Sequence, residues 1–155
     1  MIDTSLIYIE HQGCYLMLHR VKKEKDVNKD KWIGIGGKFL PEETPLQCAL
    51  RETMEETGLT LIDPQYRGIV DFKSEGWPEE RMHLFWADRF EGELKECDEG
   101  TLEWIPIEKM DDLPQWEGDR IFLRLLQEKA PFFHLQLAYQ GDTLITAILN
   151  EKSLL

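Results

Sequence analysis

Residues 37–59, GKFLPEETPLQCALRETMEETGL, carry the signals for both ends of a helix and three glutamates close together inside it. Thr44 offers an N-cap hydroxyl, Pro45 suits the first helical position, Gln47 stands where a capping-box partner belongs, and Gly58 supplies a left-handed stop. The spacing therefore predicts a helix over 45–57. At about 100° per residue, Leu46, Ala49, Leu50, Thr53 and Met54 fall on one arc, and Glu52, Glu55 and Glu56 on the opposite one. The apolar arc is expected to face the core and the glutamates to form the outer face.

Glu52 and Glu56 are four residues apart, and like charges at that separation destabilise an isolated helix by a few tenths of a kcal/mol. Glu55 adds to the crowding. Hard divalent cations such as Mg²⁺ want oxygen ligands and commonly sit between one or two carboxylates, waters and substrate phosphates. Taken alone, the cluster reads either as a metal site or as a solvated acidic face. The rest of the stretch favours the metal site.

Gly37, Glu43, Arg51, Glu52, Glu55, Glu56 and Gly58, followed by the aliphatic Leu59, stand at the spacing G-x5-E-x7-R-E-x-x-E-E-x-G. At average residue frequencies a chance match is on the order of one in a hundred thousand. This is the pattern of the Nudix box, and the chain resembles the Nudix family. One position departs from it: Thr53 stands where the family usually has an aliphatic residue. Thr53 lies on the predicted inner arc, so the change should soften packing slightly and leave the ligands alone.

Length and charge agree with that reading. A chain of 155 residues suits one domain over 1–155, and at this size roughly 70% of the unfolded surface can be buried without disulfides. Cys14, Cys48 and Cys97 are odd in number and lack metal-type spacing, which points to a reduced, cytoplasmic setting. There is no signal-peptide pattern and no run of 18 apolar residues, so no membrane association is expected. A formal charge of −12 argues against a nucleic-acid polymer as partner, because affinity for a polyphosphate backbone comes from clustered Lys and Arg. An acidic protein that handles a small phosphate compound needs a metal between the two.

Along the chain, residues 4–10 and 14–21 read as a hairpin. Residues 22–31 form a polar, basic-leaning stretch without periodicity and are expected to be a mobile loop. It leads into Trp32-Ile33-Gly34-Ile35-Gly36-Gly37-Lys38, whose glycines allow close backbone approach to a ligand and whose Lys38 can meet a phosphate as a point charge. Residues 61–74, broken at Asp63-Pro64, and 81–90 read as antiparallel strands; 101–105 reads as a short strand. A second helix is predicted over 116–129, with Ile121, Phe122, Leu125 and Leu126 at helical spacing. Residues 132–138 and 143–149 form a closing hairpin, giving one mixed α+β domain.

The resemblance implies an α/β/α sandwich around a mixed sheet, and cleavage of nucleoside diphosphates linked to another group with Mg²⁺ or Mn²⁺. By position in the motif, Glu52, Glu55 and Glu56 would bind metal, Gly36 would offer a backbone carbonyl, and Glu43 and Arg51 would support the loop–helix geometry. Beyond the box, WIGIGGK, Asp98-Glu99, the Trp116…Asp119…Phe122 segment and the FFHLQL…DTLITAIL ending look like the MutT-type hydrolases of oxidised purine nucleoside triphosphates. Glu99 best matches their additional metal-site glutamate, and Asp119 the aspartate that recognises the purine edge. Two positions depart: Ile33 replaces an asparagine that reads the base, and Gly118-Asp119 replaces a pair of aspartates.

The implied reaction is attack of a metal-activated water at the β-phosphorus, giving a nucleoside monophosphate and pyrophosphate. The proton acceptor is expected among Glu52, Glu55, Glu56 and Glu99, with Glu52 favoured. Trp32, Phe72, Trp116 and Phe122 are candidate pocket residues for the base, against the alternative that they are core. The substrate expected is a small-molecule nucleoside triphosphate, 8-oxo-dGTP or a related nucleotide, handled by a monomer or a homodimer. Two alternatives stay open: another nucleoside diphosphate derivative as substrate, or a regulatory module that binds a nucleotide without turnover.

Overall fold

The computed structural model describes residues 1–21 and 28–155. In chain order the elements are β1 (Ile2–His11), β2 (Cys14–His19), β3 (Trp32–Ile33), β4 (Ile35–Lys38), α1 (Pro45–Thr57), β5 (Thr60–Leu61), β6 (Gln65–Ser74), β7 (Glu80–Ala87), β8 (Phe90–Glu91) and β9 (Thr101–Pro106). A 3-10 turn over Ile107–Asp112, α2 (Asp119–Gln127), β10 (Phe133–Gln140), β11 (Thr143–Leu149) and β12 (Lys152–Ser153) complete them. Of the predicted loop at 22–31, residues 22–27 lie outside the described residues, and Asn28–Asp30 form a turn. The helix over 45–57 and both hairpins stand where their sequence signals put them.

The main sheet runs β12-β11-β10-β6-β7-β1-β2-β3, with β4 beside β1 and β9 beside β2. Pairing is mixed: β1 runs parallel to β7 and β10 parallel to β6, while the other pairs are antiparallel. β1 is the hub. Its first half pairs with β4 from Thr4↔Lys38 to Ile7↔Ile35, its end pairs with β2, and its opposite edge pairs with β7. A strand covered on both faces reads as a continuous apolar run, and Ile7, Tyr8 and Ile9 are all fully buried.

Because side chains alternate along a strand, β1 sends Leu6 and Tyr8 into one core cluster and Ile7 and Ile9 into the other. The first cluster takes Phe122, Leu123 and Leu126 of α2, and the second takes Ala49 of α1. The two helices therefore cover opposite faces, giving the α/β/α layering expected.

α1 is rotated from the expected facing: Ala49 and Thr53 of the predicted inner arc are buried, but the other three residues of that arc are not. Its buried residues are Cys48, Ala49, Thr53, Glu56 and Thr57, whereas Leu46 and Met54 are 45% and 44% exposed and Leu50 is also exposed. The glutamate arc does not face out: Glu56 is buried, Glu52 is largely so, and Glu55 alone of the three is exposed. The physical reason is close packing. α1 lies against β4, and a Cβ added to Gly37 would stand 2.4–2.6 Å from the Glu52 carboxyl atoms. Small residues on α1 and glycine on β4 let the two backbones approach, and bulky Leu46, Leu50 and Met54 are left on the outside.

α2 begins later than predicted. Trp116 to Gly118 form a turn in which Asp119 N–H donates to the Trp116 carbonyl at 3.0 Å. The Tyr139 hydroxyl accepts from Gly118 N–H at 2.7 Å, and a Cβ at Gly118 would meet Leu137 and Tyr139 at 2.5–2.6 Å. The glycine-rich stretch 32–38 is drawn into the sheet as β3 and β4. Among the described residues no helix is long and apolar enough to cross a membrane.

Candidate active site

The capping box at Thr44 and Gln47 is formed in both directions, at 3.1 and 2.9 Å, and Gly58 closes α1 at φ 79°. These ends fix where α1 meets β4. Gly36 is held so close to β1 that a Cβ there would lie 1.8 Å from the Ser5 carbonyl oxygen. Its N–H donates to Glu56 Oε2 at 3.1 Å.

Arg51 ties the corner together. Its guanidinium donates to both Glu43 oxygens at 2.7 and 2.9 Å, to the Lys38 carbonyl at 3.0 Å, to Glu52 Oε1 at 2.8 Å and to Glu55 Oε2 at 3.1 Å. Fork-shaped donation of this kind suits arginine and no other side chain. The Arg51 hydrogen bonds pull the Glu43 carboxyl down to about 2, and Glu43 in turn raises Arg51. Arg51 is thus a fixed charge that anchors the loop before α1 and orients Glu52.

One cavity of about 630 Å³ runs past this corner. At one end it is lined by Glu52, Glu56 and Glu99, with Arg51, Gly36 and Lys38 beside them. Burial pushes Glu52 up against the opposing pull of Arg51. Burial and a hydrogen bond with Glu99 push Glu56 up further. The neighbouring Glu99 carboxylate thus crowds Glu56 within the same lining. Arg20 donates to Glu99 from the other side at 3.1 Å.

This donor set fits a divalent cation. Oxygen ligands from Glu52, Glu56 and Glu99 are what Mg²⁺ or Mn²⁺ prefers, and a cation between them would relieve the repulsion that Glu99 exerts on Glu56. Among the described residues no three such side chains already stand at ligand spacing, so the fit is one of chemistry rather than of a finished cage. Glu55 stands apart: its side chain is 59% exposed against Arg51, outside the cavity lining.

The other end is an apolar slot lined by Ile33, Phe72, Met82, Trp116 and Asp119. Phe72 meets Trp116 edge-to-face with centroids 4.9 Å apart, and Asn28 accepts from Trp116 Nε1 at 2.8 Å. Asp119 is buried, its carboxyl has no hydrogen-bond partner among the described residues, and burial pushes it up to about 8. The Tyr8 hydroxyl, within range of the Asp119 charge, is also buried without a partner. Two aromatic candidates are not pocket residues. Trp32 stacks on His19 at 4.4 Å and 6°, outside the lining, and Phe122 is fully buried against Tyr8.

Among the lining residues outside the sequence expectations are Thr4, Arg20 and Glu80. Thr4 Oγ1 donates to Glu80 Oε2 at 2.9 Å, and burial raises Glu80 while Lys38 and Arg20 act to lower it. Glu80 sits beside Glu79 in a turn-rich acidic stretch, where nothing in the pattern separates an inward carboxyl from a solvated one.

Residues 3–126 match the NUDIX domain family model. The oxidized purine nucleoside triphosphate hydrolase of Danio rerio is 35% identical over 131 residues, 83% of each chain, and the mouse (Mus musculus) protein of that name is 30% identical with the same coverage. The crystal structure of the mutator MutT protein from Bacillus halodurans superposes with a TM-score of 0.83 at 26% identity, covering 97% of this chain and 98% of that one. Family model, relatives and fold agree with the box seated on α1, and the chain belongs to the Nudix family of hydrolases.

Proposed function

We propose that this Nudix hydrolase cleaves oxidised purine nucleoside triphosphates, with 8-oxo-dGTP favoured, to the monophosphate and pyrophosphate. The observation that carries the reading is the continuity of one cavity. It joins a carboxylate cluster suited to a metal–triphosphate to an apolar, aromatic slot ending in a buried aspartic acid. The names borne by the fish and mouse relatives point to the same substrate class.

Glu52, Glu56 and Glu99, with the Gly36 backbone, would hold Mg²⁺ or Mn²⁺, and Glu55 would join them by releasing Arg51. When bound, the cation neutralises phosphate charge and acidifies a water. The chain's own groups do the rest. Lys38 meets the phosphates as a point charge. Glu52, held by Arg51 and not part of the Glu56–Glu99 pair, accepts the water proton. Phe72 and Trp116, packed edge-to-face, form one aromatic wall against the base, and Asp119 hydrogen-bonds its edge. The neutral form favoured by burial lets Asp119 donate as well as accept. We read residues 1–155 as one domain, and the three free thiols support a reducing, cytoplasmic setting.

The test is a comparison of kcat/KM with Mg²⁺ for 8-oxo-dGTP, dGTP, ADP-ribose and diadenosine polyphosphates. For the triphosphates the readout is released pyrophosphate. The highest value is expected for 8-oxo-dGTP. A higher value for ADP-ribose or a dinucleoside polyphosphate would assign a different substrate, and no turnover across the panel would favour a nucleotide-binding module.

A further inference from the structure

We propose that Glu80 is a specificity-determining residue that reads the N7–H of an oxidised purine; this rests on the proposed substrate class. The position follows from strand register. Glu80 pairs with Phe72 on β6 and with Ile2 on β1, and Met82 pairs with Thr4. Ile2, Thr4, Leu6, Phe72, Glu80 and Met82 all line the cavity. They form its floor from one face of the sheet, with the Glu80 carboxyl beside the ring that meets Trp116. Asp119 follows Trp116 by three residues and lines the same slot. The slot therefore has a carboxylic acid at each side, Glu80 next to Phe72 and Asp119 next to Trp116.

Glu80 is also held for a purpose that the fold alone does not require. Thr4 Oγ1 fixes Oε2, while Oε1 has no hydrogen-bond partner among the described residues. Burial raises its carboxyl, and the Thr4 hydrogen bond with the Lys38 and Arg20 charges opposes that rise. With Oε2 held by Thr4, Oε1 is the oxygen left to accept a hydrogen bond from a donor on the ligand.

A guanine offers N1–H and N2–H on one edge and bare N7 and O6 acceptors on the other. Oxidation at C8 converts N7 into an N–H donor. With Asp119 taking the first edge, Glu80 faces the second, where the oxidised base supplies a donor and the ordinary base presents a lone pair to a carboxylate. Ile33 has no side-chain hydrogen bond to give at either edge. A site built to bond a group rejects the analogue lacking it far more strongly than an apolar pocket rejects a change of shape. Glu80 thus supplies the discrimination that Ile33 cannot.

The experiment measures kcat/KM for 8-oxo-dGTP, dGTP, 8-bromo-dGTP and 8-oxo-GTP with the full chain, Glu80→Met and Glu80→Gln. 8-Bromo-dGTP fills the C8 position while keeping N7 an acceptor, and wild type is expected to treat it like dGTP. Glu80→Met should lower the 8-oxo-dGTP to dGTP ratio by roughly tenfold or more, the scale of losing a charged hydrogen bond. It should leave the 8-oxo-GTP to 8-oxo-dGTP ratio unchanged. Glu80→Gln preserves size and the Thr4 contact but can turn an N–H toward a bare N7, so its ratio should also fall, with dGTP gaining. Equal loss on all four nucleotides, or a change confined to the ribose comparison, overturns the assignment. A wild-type enzyme without turnover of 8-oxo-dGTP overturns the proposed function and this inference together, whereas preference retained in both variants overturns this inference alone.

Discussion

The two ends of the cavity raise carboxyl groups by different physics. At the Arg51 end, Glu52 and Glu56 are pushed up by burial and also by crowding, from each other's neighbourhood and from Glu99. At the aromatic end, Asp119 is raised by burial, with Arg120 and Lys31 opposing. Crowded acids can be discharged by a cation, because a divalent ion satisfies several at once. An isolated buried acid has no such remedy and stays protonated instead. One protein thus keeps a metal-seeking cluster and a neutral hydrogen-bonding acid in the same cavity, distinguished by company rather than by residue type.

The largest test of that contrast is Glu56→Gln against Glu55→Gln. Loss of Glu56 should reduce kcat by about 10²- to 10⁴-fold, because it removes a ligand of a cation whose charge stabilisation is worth several kcal/mol. Glu55, which must leave Arg51 to reach the cation, should cost less, and equal effects would show that it contributes as fully as Glu56. Circular dichroism checks that both variants are folded. Next in size, Asp119→Ala should lower kcat/KM by about 10- to 100-fold for purine nucleotides while leaving the Mg²⁺ concentration dependence unchanged. A shift in that dependence would mean that the two ends are not separate.

A thermal test follows from the sign of the Asp119 shift. Its folded value is raised to about 8, above an unfolded value of about 3.9. The native state therefore holds the proton more tightly than the unfolded state, and the stability this confers is complete below pH about 4 and lost as pH rises to about 8. Asp119→Asn has no such proton to lose, so its Tm relative to wild type should climb by at least about 5 °C between pH 4 and pH 8 and level off above. A flat difference would mean that Asp119 is ionised. The smallest expected effect is Leu50→Gln on the outer side of α1, within about 0.5 kcal/mol by urea denaturation. A loss of 2 kcal/mol or more would show that this arc is covered after all.

That last variant bears on what the sequence reveals. The limits of α1 were legible because capping is local chemistry, written in Thr44, Gln47 and Gly58. The strands around it were legible from alternation and turn residues. The rotation of α1 was not, because an apolar arc marks the inner side only when the helix has no other reason to face inward. Here the reason is a functional carboxylate pair and a glycine strand pressed against Cys48 and Ala49, which turns Leu46, Leu50 and Met54 outward. Trp32 and Phe122 could not be separated from Phe72 and Trp116 by type, since core and pocket favour the same rings. Glu80 was invisible for the converse reason: only its register against β6 and against β1, far away in sequence, defines the wall it joins.

β1 links these two chemistries mechanically. Thr4 lies opposite Lys38 on one side and Met82 on the other, and its hydroxyl reaches Glu80. Inserting a single residue ahead of Thr4 and shifting the strand by one position would turn Thr4, Leu6 and Tyr8 toward α1. On the proposed function, phosphate handling and base selection would then fail in one stroke, so the first few residues form an axle on which both halves of the proposed site turn.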